Sequence, residues 1–255
     1  MAIRNPAAIE TMQASRPKPV FLSAEWRDLV MLSYEVDPAI LQPYVPSGTI
    51  LDSSQGKTYV SLVGFRFCRT KMFGVFAIPF HSNFLEVNLH FYVRRRHKNE
   101  DRRGVVFISE VVPRRAIATT ARLFYGENYT CHPMKHRTET EGPIQSAEYQ
   151  WRVAGMWCKL FAKGTGIPSL AVDGSLEQFI TEHYWGYSRQ RNGTSLEYQV
   201  THPSWPVWTA TEASFDGDAS ALYGSEFGAI LQRRPDCTFI TDGSAVTVHK
   251  GKRIA

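Results

Sequence analysis

The chain has 255 residues, 43% of them hydrophobic and 13% aromatic, with a formal charge of +5. That length suits one large domain and is short for two, and the apolar content excludes disorder beyond the ends. The charge is too small to imply nucleic acid, and no apolar run approaches the ~20 residues of a membrane span.

Residues 1 to 20 hold three prolines and read as an N-terminal arm, with 21 to 255 as one domain. No stretch at the start resembles a signal peptide. WRDLVMLSYEV (26 to 36) reads as extended. Asp37 then caps a short helix with Pro38 at its first position, closed by Pro46. KTYVSLVGFRFCRT (57 to 70) is a long strand, followed by a Gly- and Phe-rich loop from Phe73 to Phe80.

FLEVNLHFYV (84 to 93) alternates cleanly, with Glu86, Asn88, His90 and Tyr92 on one side and apolar residues on the other. An acid, an amide, an imidazole and a phenol are unusual on a solvated strand face, so the reading is that they line an interior. The basic run RRRHKNEDRR (94 to 103) is the solvated tip of a hairpin whose second strand is GVVFISEVVP (104 to 113). No aromatic residues interleave it for base stacking.

RRAIATTARLFYGENY (114 to 129) is the clearest helix, with Ile117, Ala121 and Phe124 on one face. MKHRTETEG, SAEYQWRVAGMWCKLFAKG, SLEYQVTHPSWPVWTATEA and CTFITDGSAVTVHKG carry strand signals. SLEQFITEHYW (175 to 185) reads as a second helix capped by Ser175. In HPSWPVW (202 to 208) two prolines forbid a regular central strand, and the rings pack the core or close one end of a cavity. The inventory is α+β: long antiparallel strands round a large sheet that tends to curl and close, with two or three helices.

No phosphate-cradling glycine motif and no GxSxG elbow occurs. Cys131, His132 and His136 lack a completing cluster and read as loop residues, so no metal site and no cofactor is expected. Cys68, Cys131, Cys158 and Cys237 are widely spaced with no CxxC, which predicts free thiols in the cytoplasm. None of the lysines in the strand region is an obvious interior candidate for a Schiff base.

Glu110 interrupts an apolar strand, so it is either ion-paired to Arg27, Arg114 or Arg115 or a functional acid with a raised pKa. Glu86 is open to the same two readings, and the pair could meet across the hairpin. The candidate catalytic groups are thus Glu86 and Glu110.

AEWRDLVMLSYEVDPAILQPYVPSGTILD, TYVSLVGFRF, FLEVNLHFYV, GVVFISEVVPRRAIATTARLFYGENY and VTHPSWPVW together resemble the YqjF-like family of uncharacterised proteins, from about residue 21 to 215. That family is placed in the acetoacetate decarboxylase-like superfamily. The resemblance implies a cone-shaped, mostly antiparallel β-barrel with flanking helices that binds small oxo acids inside. Arg27 matches the decarboxylases' arginine, and Tyr34, Asp37, Val45 and Pro46 match their motif round the first helix. Their active-site glutamate aligns with Ser61, and their Schiff-base lysine falls at Arg114-Arg115, so imine chemistry has lost its nucleophile. His90 stands where many YqjF-like members carry arginine.

Two functions stay open: an enzyme acting on a small oxo acid or carbonyl compound without a Schiff-base lysine, or a barrel that binds or senses a metabolite. In either, Arg27, Ser61, Asn88, His90, Tyr92, Arg114 and Arg115 are the candidate ligand contacts. The expected partner is a small polar or anionic metabolite, with no nucleic acid and no membrane. The assembly state is not legible.

Overall fold

The computed structural model describes residues 18–77 and 81–254, apart from the side chains of residues 121, 123 and 124. The expected arm before residue 18, the end of the loop reaching Phe80, and Ala121 and Phe124 on the helix face lie outside the described residues.

β1 (Val20–Val36) runs into α1 (Pro38–Leu41). Asp37 starts that helix, its carboxylate accepting from the Ala39 amide at 2.8 Å, while Pro38 presets the first turn. β2 (Ile50–Leu51), β3 (Thr58–Met72) and β4 (Phe76–Ala77) lead to β5 (Phe84–His97), which pairs with β6 (Glu100–Val112) as the expected antiparallel hairpin. α2 (Arg115–Tyr125) ends where Gly126 takes a left-handed φ of 67°.

β7 (Tyr129–Cys131), β8 (Met134–Glu141), β9 (Ile144–Val153), β10 (Met156–Thr165) and β11 (Ser169–Leu170) follow. α3 (Leu176–Thr181) starts at Ser175, whose hydroxyl accepts from the Gln178 amide at 3.2 Å. The chain finishes with β12 (Trp185–Arg189), β13 (Ser195–Thr201), β14 (Pro206–Asp216), α4 (Ser220–Tyr223), α5 (Ser225–Leu231), β15 (Cys237–His249) and β16 (Lys252–Ile254).

α3 stops short of the expected residue 185. Trp185 is drawn instead into parallel pairing with Gly104 of β6, and that tertiary pairing overrides a local helical pattern. Cys131 likewise belongs to a strand rather than a loop. The helices α4 and α5 were not read from the sequence.

Among the described residues, β13, β12, β6, β5, β3, β1 and β15 are paired in that order, and β15 pairs back to β13. The sheet therefore closes into a ring and those strands have no free edge. Its pairings are antiparallel except for β6 with β12 and β6 with β7.

Alternation divides the strands between two cores. Val30, Leu32, Leu62, Val87, Leu89 and Phe91 pack outward against β9, β10 and α5. Leu29, Met31, Val63, Phe65 and Phe67 turn inward. Gly64 sits where a Cβ would come within 2.7 Å of the Tyr149 ring, so its bare backbone lets the β9 layer close on β3.

The basic tip is tied down internally. Arg95 and Arg102 both donate to the carboxylate of Glu197 on β13, at 3.0 and 2.9 Å, and Arg103 donates to Asp52 at 2.7 Å. Two guanidinium groups of the hairpin therefore brace the far side of the ring.

Candidate active site

The ring encloses a cavity of about 270 Å³. The polar face of β5 looks into it through Glu86, Asn88 and His90, all buried. These side chains form a continuous hydrogen-bonded ladder. The Tyr129 hydroxyl donates to Glu86 Oε2 at 3.0 Å, and Asn88 Nδ2 donates to Glu86 Oε1 at 3.0 Å. Asn88 Oδ1 faces His90 Nδ1 at 2.9 Å, and His90 Nε2 lies 3.3 Å from the Tyr92 hydroxyl. Tyr92 continues to Ser61 at 2.6 Å and Ser61 to Ser33 at 2.7 Å.

Because the Asn88 amide nitrogen points at Glu86, its oxygen must accept from His90, which places the imidazole proton on Nδ1. Burial, then the neighbouring His183, lowers the His90 pKa to about 3, so the ring is neutral. His90 is therefore an oriented neutral imidazole, not a cation.

Glu110 stands directly across the strand pair from Asn88 and is only 1% exposed. Its Oε2 has no hydrogen-bond partner. Burial, then the fields of Glu127 and Glu86, push its pKa well above the carboxylate range and favour its neutral form. Burial also lifts Glu86 to about 7, against the pull of Asn88 and Tyr129. Glu127, in the turn after α2, is raised to about 8 by burial, and the Tyr198 hydroxyl donates to its Oε1. The result is a neutral acid beside two groups able to change charge near pH 7, an arrangement suited to passing protons.

The remaining walls are mostly apolar and aromatic. Trp205 is held by its indole N–H donating to Ser244 at 2.8 Å and stacks on His202 with centroids 4.1 Å apart. Trp26 meets Trp205 edge-on, so HPSWPVW does close part of the cavity. His183 also reaches the lining, donating through Nε2 to Asp52 at 3.1 Å. Burial works against ionised Asp52, yet hydrogen bonds from His183 and Arg103 outweigh it and hold its pKa down to about 2.

The structure brings together Glu86, Asn88, His90 and Glu110, and it leaves the other expected residues outside the lining. Tyr92 and Ser61 are buried behind His90 as the far end of the ladder. Arg27 is on the wrong side: Trp26 faces the cavity, and alternation sends Arg27 outward to an ion pair with Glu25 at 2.8 Å. Arg114 is the cap residue of α2 and Arg115 is exposed, while Ala116, Ile117 and Thr120 form the helix face that lines the cavity. Among the described residues Glu110 has no arginine partner, so the ion-pair reading of it finds no support there.

Sequence reading missed Glu127, Tyr129 and Tyr198. Glu127 lies in the turn after α2 and Tyr129 opens β7, whereas the sequence reading runs the helix through both. Among the described residues, no lysine or arginine lines the cavity, and no three His, Cys, Asp or Glu side chains converge as metal ligands.

Comparison with known proteins places this geometry in context. The enduracididine biosynthesis enzyme MppR, complexed with pyruvate, is similar over 96% of this chain and 95% of its own, with TM-score 0.66 and 13% identity. The acetoacetate decarboxylase from Legionella pneumophila subsp. pneumophila str. Philadelphia 1 is similar over 100% and 98%, with TM-score 0.65 and 15% identity. At such identities the likeness is one of fold: an acetoacetate decarboxylase-like sheet, mostly antiparallel, with few helices. In sequence, the uncharacterized protein YqjF of Bacillus subtilis (strain 168) is 26% identical over 185 residues, 72% of this chain and 74% of its own. The family model DUF2071 matches residues 23–245, and the chain belongs to that family of uncharacterized conserved proteins.

Proposed function

We propose that the protein is an enzyme that moves protons on a small carbonyl compound held in the ring cavity, without imine chemistry. The observation that carries this reading is Glu110: a buried, protonated carboxyl with one unpartnered oxygen, beside a Glu86 poised near neutrality. Glu110 gives its proton to the carbonyl oxygen while ionised Glu86 takes a proton from the adjacent carbon. The product is an enol with both protons accounted for. Return of a proton to another position completes an isomerisation or exchange. The similar fold of two enzymes supports an enzyme by analogy only.

Three carboxyl groups and the lack of lysine or arginine among the described lining residues weigh against a free oxo-acid anion as ligand. The absence of a lining lysine also supports loss of the imine route. In this proposal residues 21 to 255 are one domain, and the protein works in the cytoplasm with four free cysteines and has neither nucleic acid nor membrane as partner. Engagement of Arg95, Arg102 and Arg103 by internal acids supports the point about nucleic acid. No helix among the described residues is long and apolar enough to cross a membrane.

A non-catalytic binding barrel is the second reading, favoured by Glu86 having both oxygens already hydrogen-bonded. Hydrogen–deuterium exchange at the carbon beside the carbonyl separates them. Small ketones in D₂O, followed by proton NMR, should lose α-proton signal faster with the protein than with buffer. Glu110→Gln should abolish that excess rate. A ketone that raises the Tm but is recovered without deuterium would select the binding barrel.

A further inference from the structure

We propose that the acidic wall of this cavity recognises an organic cation, a protonated amine carried by the ligand, and that its entry expels a proton from the glutamates. The inference rests on the cavity being the ligand site proposed above, and it names the charge of what enters.

The geometry is one-sided in charge. Glu86 arrives from β5, Glu110 from β6 and Glu127 from the turn after α2, and no lysine or arginine among the described lining residues answers them. Tyr129 and Tyr198 donate to Glu86 and Glu127, but Glu110 Oε2 has no donor at all. A buried carboxyl oxygen without a partner is costly, and an N–H of a ligand can supply the missing donor. The neighbouring walls include the aromatic rings of Trp26, Trp205, Phe84 and Tyr125, and such rings attract a desolvated cation that reaches an open face. A bare metal ion does not fit, since the carboxyls do not converge as ligands among the described residues.

Proton bookkeeping follows from the same groups. Empty, the wall limits its own repulsion by keeping protons. Glu86 and Glu127, at about 7 and about 8, are the groups that change charge near neutrality, and Glu110 is pushed well above the carboxylate range by burial and by both neighbours. The tyrosines facing them, Tyr125, Tyr129 and Tyr198, are pushed further up and stay protonated. His90, His183 and His202 are pushed down by burial and stay neutral, and His81 completes the titratable lining. One cation entering therefore displaces up to one proton, and Glu110 keeps its own for the carbonyl.

Three probes of one shape test this on the full-length protein: cyclohexylammonium, cyclohexanone and cyclohexanecarboxylate. Calorimetry in two buffers of different ionisation enthalpy counts the protons, and a melting curve gives an independent reading. Cyclohexylammonium should bind with proton release at pH 6.5. Its Kd should fall by up to about tenfold per pH unit between pH 5.5 and 7, then level off above pH 8. Glu127→Gln should weaken it by about tenfold or more, and the wild-type proton count holds even if that variant folds poorly. Carboxylate binding as tight as ammonium, or ammonium binding without proton release, overturns the inference. Cyclohexanone binding without ammonium binding overturns it while leaving the cavity as a ligand site. Failure of all three probes removes both.

Discussion

Asn88 and His90 are joined by a 2.9 Å contact between Oδ1 and Nδ1, and the other end of the same amide donates to Glu86. One side chain thus sets the tautomer of the imidazole and holds the carboxylate. Its replacement by leucine leaves a buried carboxyl oxygen and a buried ring N–H unpaired. The loss should be about 2–4 kcal/mol of stability, read by urea denaturation. A loss below about 0.5 kcal/mol would mean the ladder is not formed in solution.

The pH dependence of stability has a defined sign. Glu86 and Glu127 have folded pKa values near 7 and 8, above their usual value of 4.5, so the folded state binds protons more tightly. Their contribution is complete below about pH 4.5 and is lost as pH rises towards 8. His90, lowered to about 3, works the other way, but only up to its ordinary 6.5. Between pH 6.5 and 8 the carboxyl effect stands alone. Stability should fall there by up to about 1.4 kcal/mol per pH unit for each group. Denaturation midpoints at pH 6.5, 7.2 and 8 check it, and Glu86→Gln should flatten the slope. A midpoint that climbs over this window contradicts the buried carboxyl cluster.

Glu197 holds the ring shut from outside the cavity. Its carboxylate is only 3% exposed and receives both Arg95 and Arg102. Glu197→Ala strands the partly buried Arg95 guanidinium and leaves Arg102 only the exposed Glu100, and should cost about 3 kcal/mol. Arg95→Ala should cost less, because Arg102 keeps the carboxylate paired. Equal losses from the two variants, read by thermal unfolding, would argue against a shared clamp.

The absence of a lysine from the described lining predicts the outcome of a chemical trap. Borohydride added with acetoacetate should leave the intact mass of the protein unchanged, since no amine is placed to form a reducible imine. A mass increase localised to any lysine would restore the imine route.

The alternation of FLEVNLHFYV was enough to put Glu86, Asn88 and His90 on one face, because successive strand side chains point to opposite sides whatever surrounds them. The Asp37 and Ser175 caps and the hairpin were equally local and equally legible. Arg27, Arg114 and Arg115 were misplaced because adjacency in sequence says nothing about which side of a sheet, or which side of a helix start, becomes enclosed. Glu127, Tyr129 and Tyr198 reach the cavity only because β7 and β13 are carried there by pairings between distant segments. The sequence by itself determined which residues share a face, since that follows from backbone geometry over a few residues. Only the closed ring decided which face is inside and that its charge is acidic, since enclosure depends on which distant strands meet.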